Sequence, residues 1–204
     1  MYYTPHNEYV NVAAKVMIVG ITPGWKQLEI AYRTAIQSLK QHKTYEEACK
    51  DAKIAARFAG ATRVNLIQML DEIGIHNLCG ISSAEQLFDR NCTLLHTTSL
   101  VRYPVFVAKR NYNGHNPSLI RNEFLEEAAL QSFVIELEML EKPLIVPLGK
   151  SVESFLRHLI RLGLIAEHHV IWGFPHPSGA NGHRLSQFEA GKAAMIEIIE
   201  ELQV

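Results

Sequence analysis

Short apolar runs alternate with longer amphipathic stretches along the chain. Lys15 to Gly20 (KVMIVG) is β-branched, apolar and closed by Gly, the pattern of a strand buried on both faces. Thr93 to Val101, Leu144 to Leu148 after Pro143, and His169 to Gly173 predict three further strands. Between them the apolar period changes to that of a helix. Gln27 to about Phe58 carries Ala31, Ala35 and Leu39 on one side. Ala61 to Ile73 carries the stripe Leu66, Met69, Leu70 and Ile73 and stops at Gly74. Leu119 to Leu140 and Val152 to Leu162 are helical, and so is the end of the chain, where Phe188, Ala194, Ile196 and Ile199 share a side. Strands alternating with helices at this spacing predict a three-layer α/β/α fold around a central four-stranded parallel sheet. No linker, repeat or low-complexity segment divides the chain, so residues 1–204 are expected to form a single domain. Ligands of such open sheets sit outside the carboxyl ends of the strands. That places the site on the loops at 21–25, 102–117 and 173–184.

Composition narrows the class. With 204 residues, 48% of them hydrophobic, the chain suits one globular domain. No apolar run approaches the roughly 20 residues of a membrane span, and the N-terminus does not have the pattern of a secretion signal. A cytoplasmic protein without membrane contact is expected. Cys49, Cys79 and Cys92 are too few and too widely spaced for a disulfide framework or a paired metal site. The net charge of −1 is unremarkable, but its distribution is not. Residues 9–28, 90–122 and 168–188 contain no Asp or Glu, and they overlap the three loops just named. If these segments converge, they form a neutral-to-positive face that attracts an anionic ligand.

Three clusters on those loops offer chemistry. In Gly20-Ile21-Thr22-Pro23-Gly24, two glycines and a proline shape a tight turn that brings backbone N–H groups close to a ligand; a purely structural turn is the alternative. In Phe174-Pro175-His176-Pro177-Ser178-Gly179, the two prolines restrict the backbone around a hydrogen-bonding imidazole. Leu148-Gly149-Lys150-Ser151 looks like the end of a phosphate-binding loop but lacks its first glycine, so a strand-to-helix turn capped by Ser151 is expected.

In combination these pieces resemble the uracil-DNA glycosylase superfamily, most closely its thermostable-type branch. GITPG at 20–24 matches the family's first motif, and His176-Pro177-Ser178 its second. Phe58-Ala59-Gly60, Thr98 to Arg102, and Asn116-Pro117-Ser118 with the following helix and the Leu-Gly-Lys strand fall between them in the family's order. The resemblance implies a DNA glycosylase that hydrolyses the bond between sugar and base, acting on a uracil or other deaminated or modified base flipped out of DNA. By the same resemblance, His176 and Thr22 are catalytic. Phe58, Ser99, Gly20 and Ile21 bind the base. Pro177, Ser178, Gly179, Asn181, Arg184 and Ser151 contact DNA. No metal or cofactor is implied; DNA is the partner, and the oligomeric state stays open, with a monomer favoured.

Two positions depart from the family. Thr22 stands where the family places Asp, Glu or Asn, and a hydroxyl cannot act as a base at neutral pH. Glu29, one turn into the next helix, is either its substitute or a solvated helix carboxylate. At the base-reading position the family has Asn; here the aligned residue is Ser99, or Thr98, Thr97 or His96 if the register slips. The four cysteines of the thermostable branch's iron–sulfur cluster are absent. Two other readings compete: a member of the fold that binds DNA or a nucleobase without cleavage, and an unrelated small-molecule enzyme on the same architecture. Trp25 and Tyr32 are either walls of the pocket or packing on the adjoining helix.

Overall fold

The computed structural model describes residues 1–89, 92–166 and 170–202. Its central strand, β1 (Val16–Gly20), runs parallel to β2 (Leu95–Ser99) on one side and β5 (Leu144–Pro147) on the other. Val16 stands opposite Leu95 and Leu144, and Gly20 opposite Ser99. The expected fourth strand contributes one parallel bridge, Val170 to Ile145, while His169 lies outside the described residues. The sheet is therefore three strands and a bridge. The cause is local: Gly173 adopts φ +83° and turns the chain, so that Gly149 N–H donates to the Phe174 carbonyl at 2.9 Å.

The alternation of β1 fills both faces of the sheet. Val16 and Ile18 pack with Leu66 and Leu70 of α3 (Ala61–Glu72) and with Phe188, Met195 and Ile199 of α8 (Arg184–Glu201). Met17 and Val19 pack on the opposite face with Leu125, Phe133, Leu137 and Phe155. These come from α5 (Glu123–Ala129), the π turn Leu130–Val134, α6 (Ile135–Glu138) and α7 (Lys150–Arg161). Val16 to Val19 are fully buried, and a buried side chain of this size contributes about 1.5–3 kcal/mol of hydrophobic free energy.

Three expectations change. The helical stretch from Gln27 to Phe58 is two helices, α1 (Trp25–Lys40) and α2 (Tyr45–Ala56). The break is written in a capping box: Glu47 N–H donates to Thr44 Oγ1, and Thr44 N–H to Glu47 Oε2. The two helices meet on a seam of Ala31, Ala35, Ala48, Ala52 and Ala56. The helix expected from Leu119 begins at Glu123 under an Asn122 cap and is interrupted by the π turn, where Ser132 Oγ donates to the Ala128 and Leu100 carbonyls. The loop at 102–117 contains a hairpin, β3 (Phe106–Val107) and β4 (Arg110–Asn111). A short helix, α4 (Ile75–Leu78), follows Gly74. No helix among the described residues is long and apolar enough to cross a membrane.

Beside β2 lies a buried polar network. His96 Nε2 donates to Glu136, and its Nδ1 accepts from Asn11 N–H at 3.3 Å. Lys53 Nζ donates to the Tyr9 carbonyl at 2.6 Å, and Arg102 Nη2 lies 3.8 Å from Glu136. Burial, and then the nearby Lys53 charge, push His96 down to about 4 and His6 down to about 3. Burial alone would raise Glu136, yet His96 and Lys53 hold it below the ordinary carboxylate range.

Two tests follow from this packing. His6 and His96 stay neutral when folded but take up protons near pH 6.5 when unfolded, so the stability present above pH 6.5 is lost as the pH falls toward 4. Urea unfolding is expected to show a loss on the order of 3 kcal/mol from His6 between pH 7 and 4, with His96 adding in the same direction, and His6→Gln to flatten that slope. Ala108 and Lys109, the two turn residues of the hairpin, both have positive φ, +48° and +63°. Such a turn favours glycine, so Lys109→Gly is expected to relieve about 1–2 kcal/mol of left-handed strain against about 0.5–1 kcal/mol of glycine's chain entropy, for a small net rise in unfolding free energy.

Candidate active site

The carboxyl ends of β1, β2 and β5 meet at Gly20. Leu100 N–H donates to the Gly20 carbonyl, Val101 N–H to Ile21, and Leu148 N–H to Val19, each at 2.9 Å. A Cβ placed on Gly20 would lie 3.6 Å from Ser99 Oγ and 3.9 Å from Phe58 Cε1, so the three residues wall one small space. Phe58 has φ +48°, a left-handed conformation costly for a non-glycine residue. It is held there by Arg63, which donates to the Arg57 carbonyl through Nε at 3.0 Å and Nη2 at 2.6 Å, and to the Ala55 carbonyl at 3.2 Å. Of the four residues proposed to occupy the base-reading register, Ser99 faces this space. His96 is committed to Glu136 on the other side of the sheet, and Thr98 also lies toward Glu136.

On the other side of Gly20, His176 packs on the turn after β5. Gly149 has φ +90°, and a Cβ there would lie 3.2 Å from His176 Cβ and 3.4 Å from its backbone N. Phe174, Pro175 and Pro177 are buried around it, while the imidazole itself emerges at the surface. Ser178 N–H donates to His176 Nδ1 at 3.1 Å. The proton of the neutral ring therefore sits on Nε2, which is left as a hydrogen-bond donor. The protein packed around the ring lowers its pKa from the ordinary value by desolvation, and this favours that neutral form.

The loop 174–184 is braced from three directions. Asn65 of α3 donates to the Pro177 carbonyl at 2.9 Å. Asn181 Nδ2 donates to the His176 carbonyl at 3.2 Å and to Gln187 at 3.1 Å. Arg184 Nη1 donates to the Ser178 carbonyl at 3.4 Å. Ser178 Oγ accepts from Ala180 N–H, and Gly179 is exposed at the tip. Asn181 and Arg184 thus shape the loop from which Ser178 and Gly179 project, while Pro177, expected beside them, is buried.

The first-motif loop is tied to the loop at 102–117. Thr22 Oγ1 donates to the Tyr103 carbonyl at 2.8 Å and accepts from Val105 N–H at 3.1 Å. Its hydroxyl joins two loops and has one acceptor position left. Glu29 is exposed and paired with Arg33 at 2.7 Å, which answers the alternative for that carboxylate: it is a solvated helix residue. Ser151 does not cap its own helix. Gly149 occupies that position, and Ser151 Oγ donates instead to the Asn113 carbonyl at 3.2 Å, with His115 Nε2 also 3.2 Å away. Gly114, at φ +88°, lies against Ser151 and Ile21, where an added Cβ would come within 2.7 Å of Ser151 Cβ.

His115 therefore stands beside the N-terminus of α7, and sequence reading missed it. The Asn-Gly pair at 113–114 marks a turn, but no spacing signals that the next residue returns to α7. Among the described residues, no group of three His, Cys, Asp or Glu side chains is arranged to hold a metal. A cavity of about 340 Å³ lies between α2 and the start of β2, lined by Lys43, Lys53, Arg57 and His96, and belongs to the opposite end of the strand.

The chain is similar to known proteins. A family model described as Uracil DNA glycosylase superfamily matches residues 7–203. The uncharacterized protein YoxB of Bacillus subtilis (strain 168) is 46% identical over 193 residues, which cover 94% of this chain and 75% of that protein. Among solved structures, wild-type Pedobacter heparinus SMUG2 aligns with a TM-score of 0.49 and 15% identity, over 93% of this chain and 76% of that chain.

Replacing Thr22 tests its bracing role. Thr22→Val keeps the shape but leaves the Tyr103 carbonyl and Val105 N–H unpartnered, and is expected to cost about 1–3 kcal/mol in denaturant unfolding. Thr22→Ser is expected to restore most of it.

Proposed function

Since the chain belongs to the uracil DNA glycosylase superfamily, we propose that it hydrolyses the N-glycosidic bond of uracil, or of another deaminated or modified base, in DNA. The observation that carries this reading is the His176 ring, with Nδ1 occupied by Ser178 N–H and Nε2 left to donate. The flipped base stacks on Phe58, and Ser99 Oγ pairs with one atom of its edge. As the bond between C1′ and the base nitrogen breaks, its electron pair leaves with the base. His176 Nε2–H then hydrogen-bonds the base oxygen that gains negative charge. Water adds to C1′ and loses its proton to solvent or to the departing base. The backbone around Gly20 and Ile21 encloses the base. Ser178, Gly179 and the N-terminus of α7 at Ser151 face the phosphates, with Asn181, Arg184 and the buried Pro177 holding that loop in shape.

One observation favours a second reading, binding without cleavage. Thr22 has already committed its proton to Tyr103, so the first motif supplies no carboxylate or amide to orient water.

The two readings separate in single-turnover base release. The substrates are labelled single- and double-stranded oligonucleotides carrying uracil, hypoxanthine, xanthine or mismatched thymine. The glycosylase reading expects abasic product that falls by about 10²–10³-fold in His176→Ala. Binding of the intact strand should persist in that variant. Binding without product from any substrate would leave the second reading standing.

A further inference from the structure

We propose that the aromatic surface beside the first-motif loop is a stacking platform for single-stranded DNA leading into the base site, an inference that rests on DNA being the ligand. Trp25 and Tyr32 neither line the pocket nor pack away into the interior. They are exposed, Trp25 at 62% and Tyr32 at 41%, together with Tyr2 at 61%, Tyr3 at 42% and Tyr45 at 59%. The rings form two contact groups that meet at the adjacent residues Tyr2 and Tyr3. Trp25 meets Phe106 with centroids 6.0 Å apart, and Phe106 meets Tyr2 at 5.6 Å. Tyr3 meets Tyr32 at 6.5 Å and Tyr103 at 5.5 Å, and its hydroxyl bonds that of Tyr45. None of these pairs is stacked face to face.

This surface is fixed to the site. Trp25 directly follows Gly24, and its N–H donates to Asn111 Oδ1 of the hairpin at 3.0 Å. Tyr2 N–H donates to the Pro104 carbonyl at 2.9 Å. Lys26, Lys109 and Arg110 are exposed along it, without a carboxylate partner among the described residues. Lys26 leans toward the site, where its Nζ would lie 3.0 Å from a Cβ on Gly60, two residues after Phe58. Glu8, at the margin, accepts from Tyr103 OH at 2.6 Å.

The combination selects its occupant. Exposed rings offer stacking to bases that are not already stacked in a duplex, and cations follow the phosphates between them. A second copy of the chain would set the same cations against one another. A duplex would present phosphates to the cations but no base faces to the rings.

The test uses the full chain and a fluorescein-labelled, uracil-free 20-nucleotide strand, alone and in duplex, followed by anisotropy at two salt concentrations. The single strand is expected to bind more tightly than the duplex. Trp25→Ala with Phe106→Ala is expected to weaken the single strand about tenfold or more while leaving the duplex unchanged. Because the chain has two tryptophans, Trp172→Phe leaves Trp25 as the reporter, and its emission should be quenched by the single strand. Unchanged single-strand affinity in the double variant, or sedimentation showing that Trp25→Ala abolishes a dimer instead, would overturn the platform. Base release measured in parallel separates the two ideas. Trp25-dependent binding without release leaves the platform standing and removes the glycosylase; release with unaltered binding in the variant does the reverse.

Discussion

Everything at the proposed site depends on the parallel pairing of β1 with both neighbours up to their carboxyl ends. The hydrogen bonds from Leu100, Val101 and Leu148 to Gly20, Ile21 and Val19 carry the pairing past the last strand residue. Each loop therefore leaves the sheet at a fixed height beside the others. Ser99 arrives from β2, and His176 arrives on the Gly149 turn after β5. The strand between them ends in Gly20, beside Ser99 and Phe58. The buried, fully apolar β1 secures this pairing, since a slip of one residue would turn Val16 and Ile18 toward the wrong layer.

Around that frame, polar side chains act mainly as ties between loops. Thr22 links the first loop to 103–105, Asn111 links the hairpin to α1, Asn65 links α3 to Pro177, and Ser151 links α7 to Asn113. Each satisfies backbone groups that an irregular loop would otherwise leave unpaired. The result braces the loops that carry His176 and Phe58. It also explains how a first motif without a carboxylate remains compatible with the fold: the position has been recruited to brace its neighbours.

Left-handed backbone occurs at five non-glycine residues among those described, His42, Phe58, Ala108, Lys109 and Lys142. Phe58 has a left-handed conformation, and so do Ala108 and Lys109 at the tip of the hairpin. The first is maintained by Arg63, and the others by a two-residue turn that glycine would fill more readily.

The alternation of strand and helix, the loops that carry the site, and the two short motifs were all legible in the sequence, because each depends on local periodicity or on residues whose backbone preferences are local. The break between α1 and α2 was legible in principle, since the capping box Thr44 to Glu47 is itself a local signal. Other features depended on tertiary structure. The choice of Ser99 over His96 follows from which face of β2 meets Glu136. The shortening of the fourth strand follows from the turn at Gly173 toward Gly149. The placement of His115 beside Ser151, the bracing role of Thr22, and the meeting of Trp25, Phe106 and the N-terminal tyrosines join residues up to about a hundred positions apart. No periodicity along the chain encodes such contacts; they arise only when packing closes the loops onto one another.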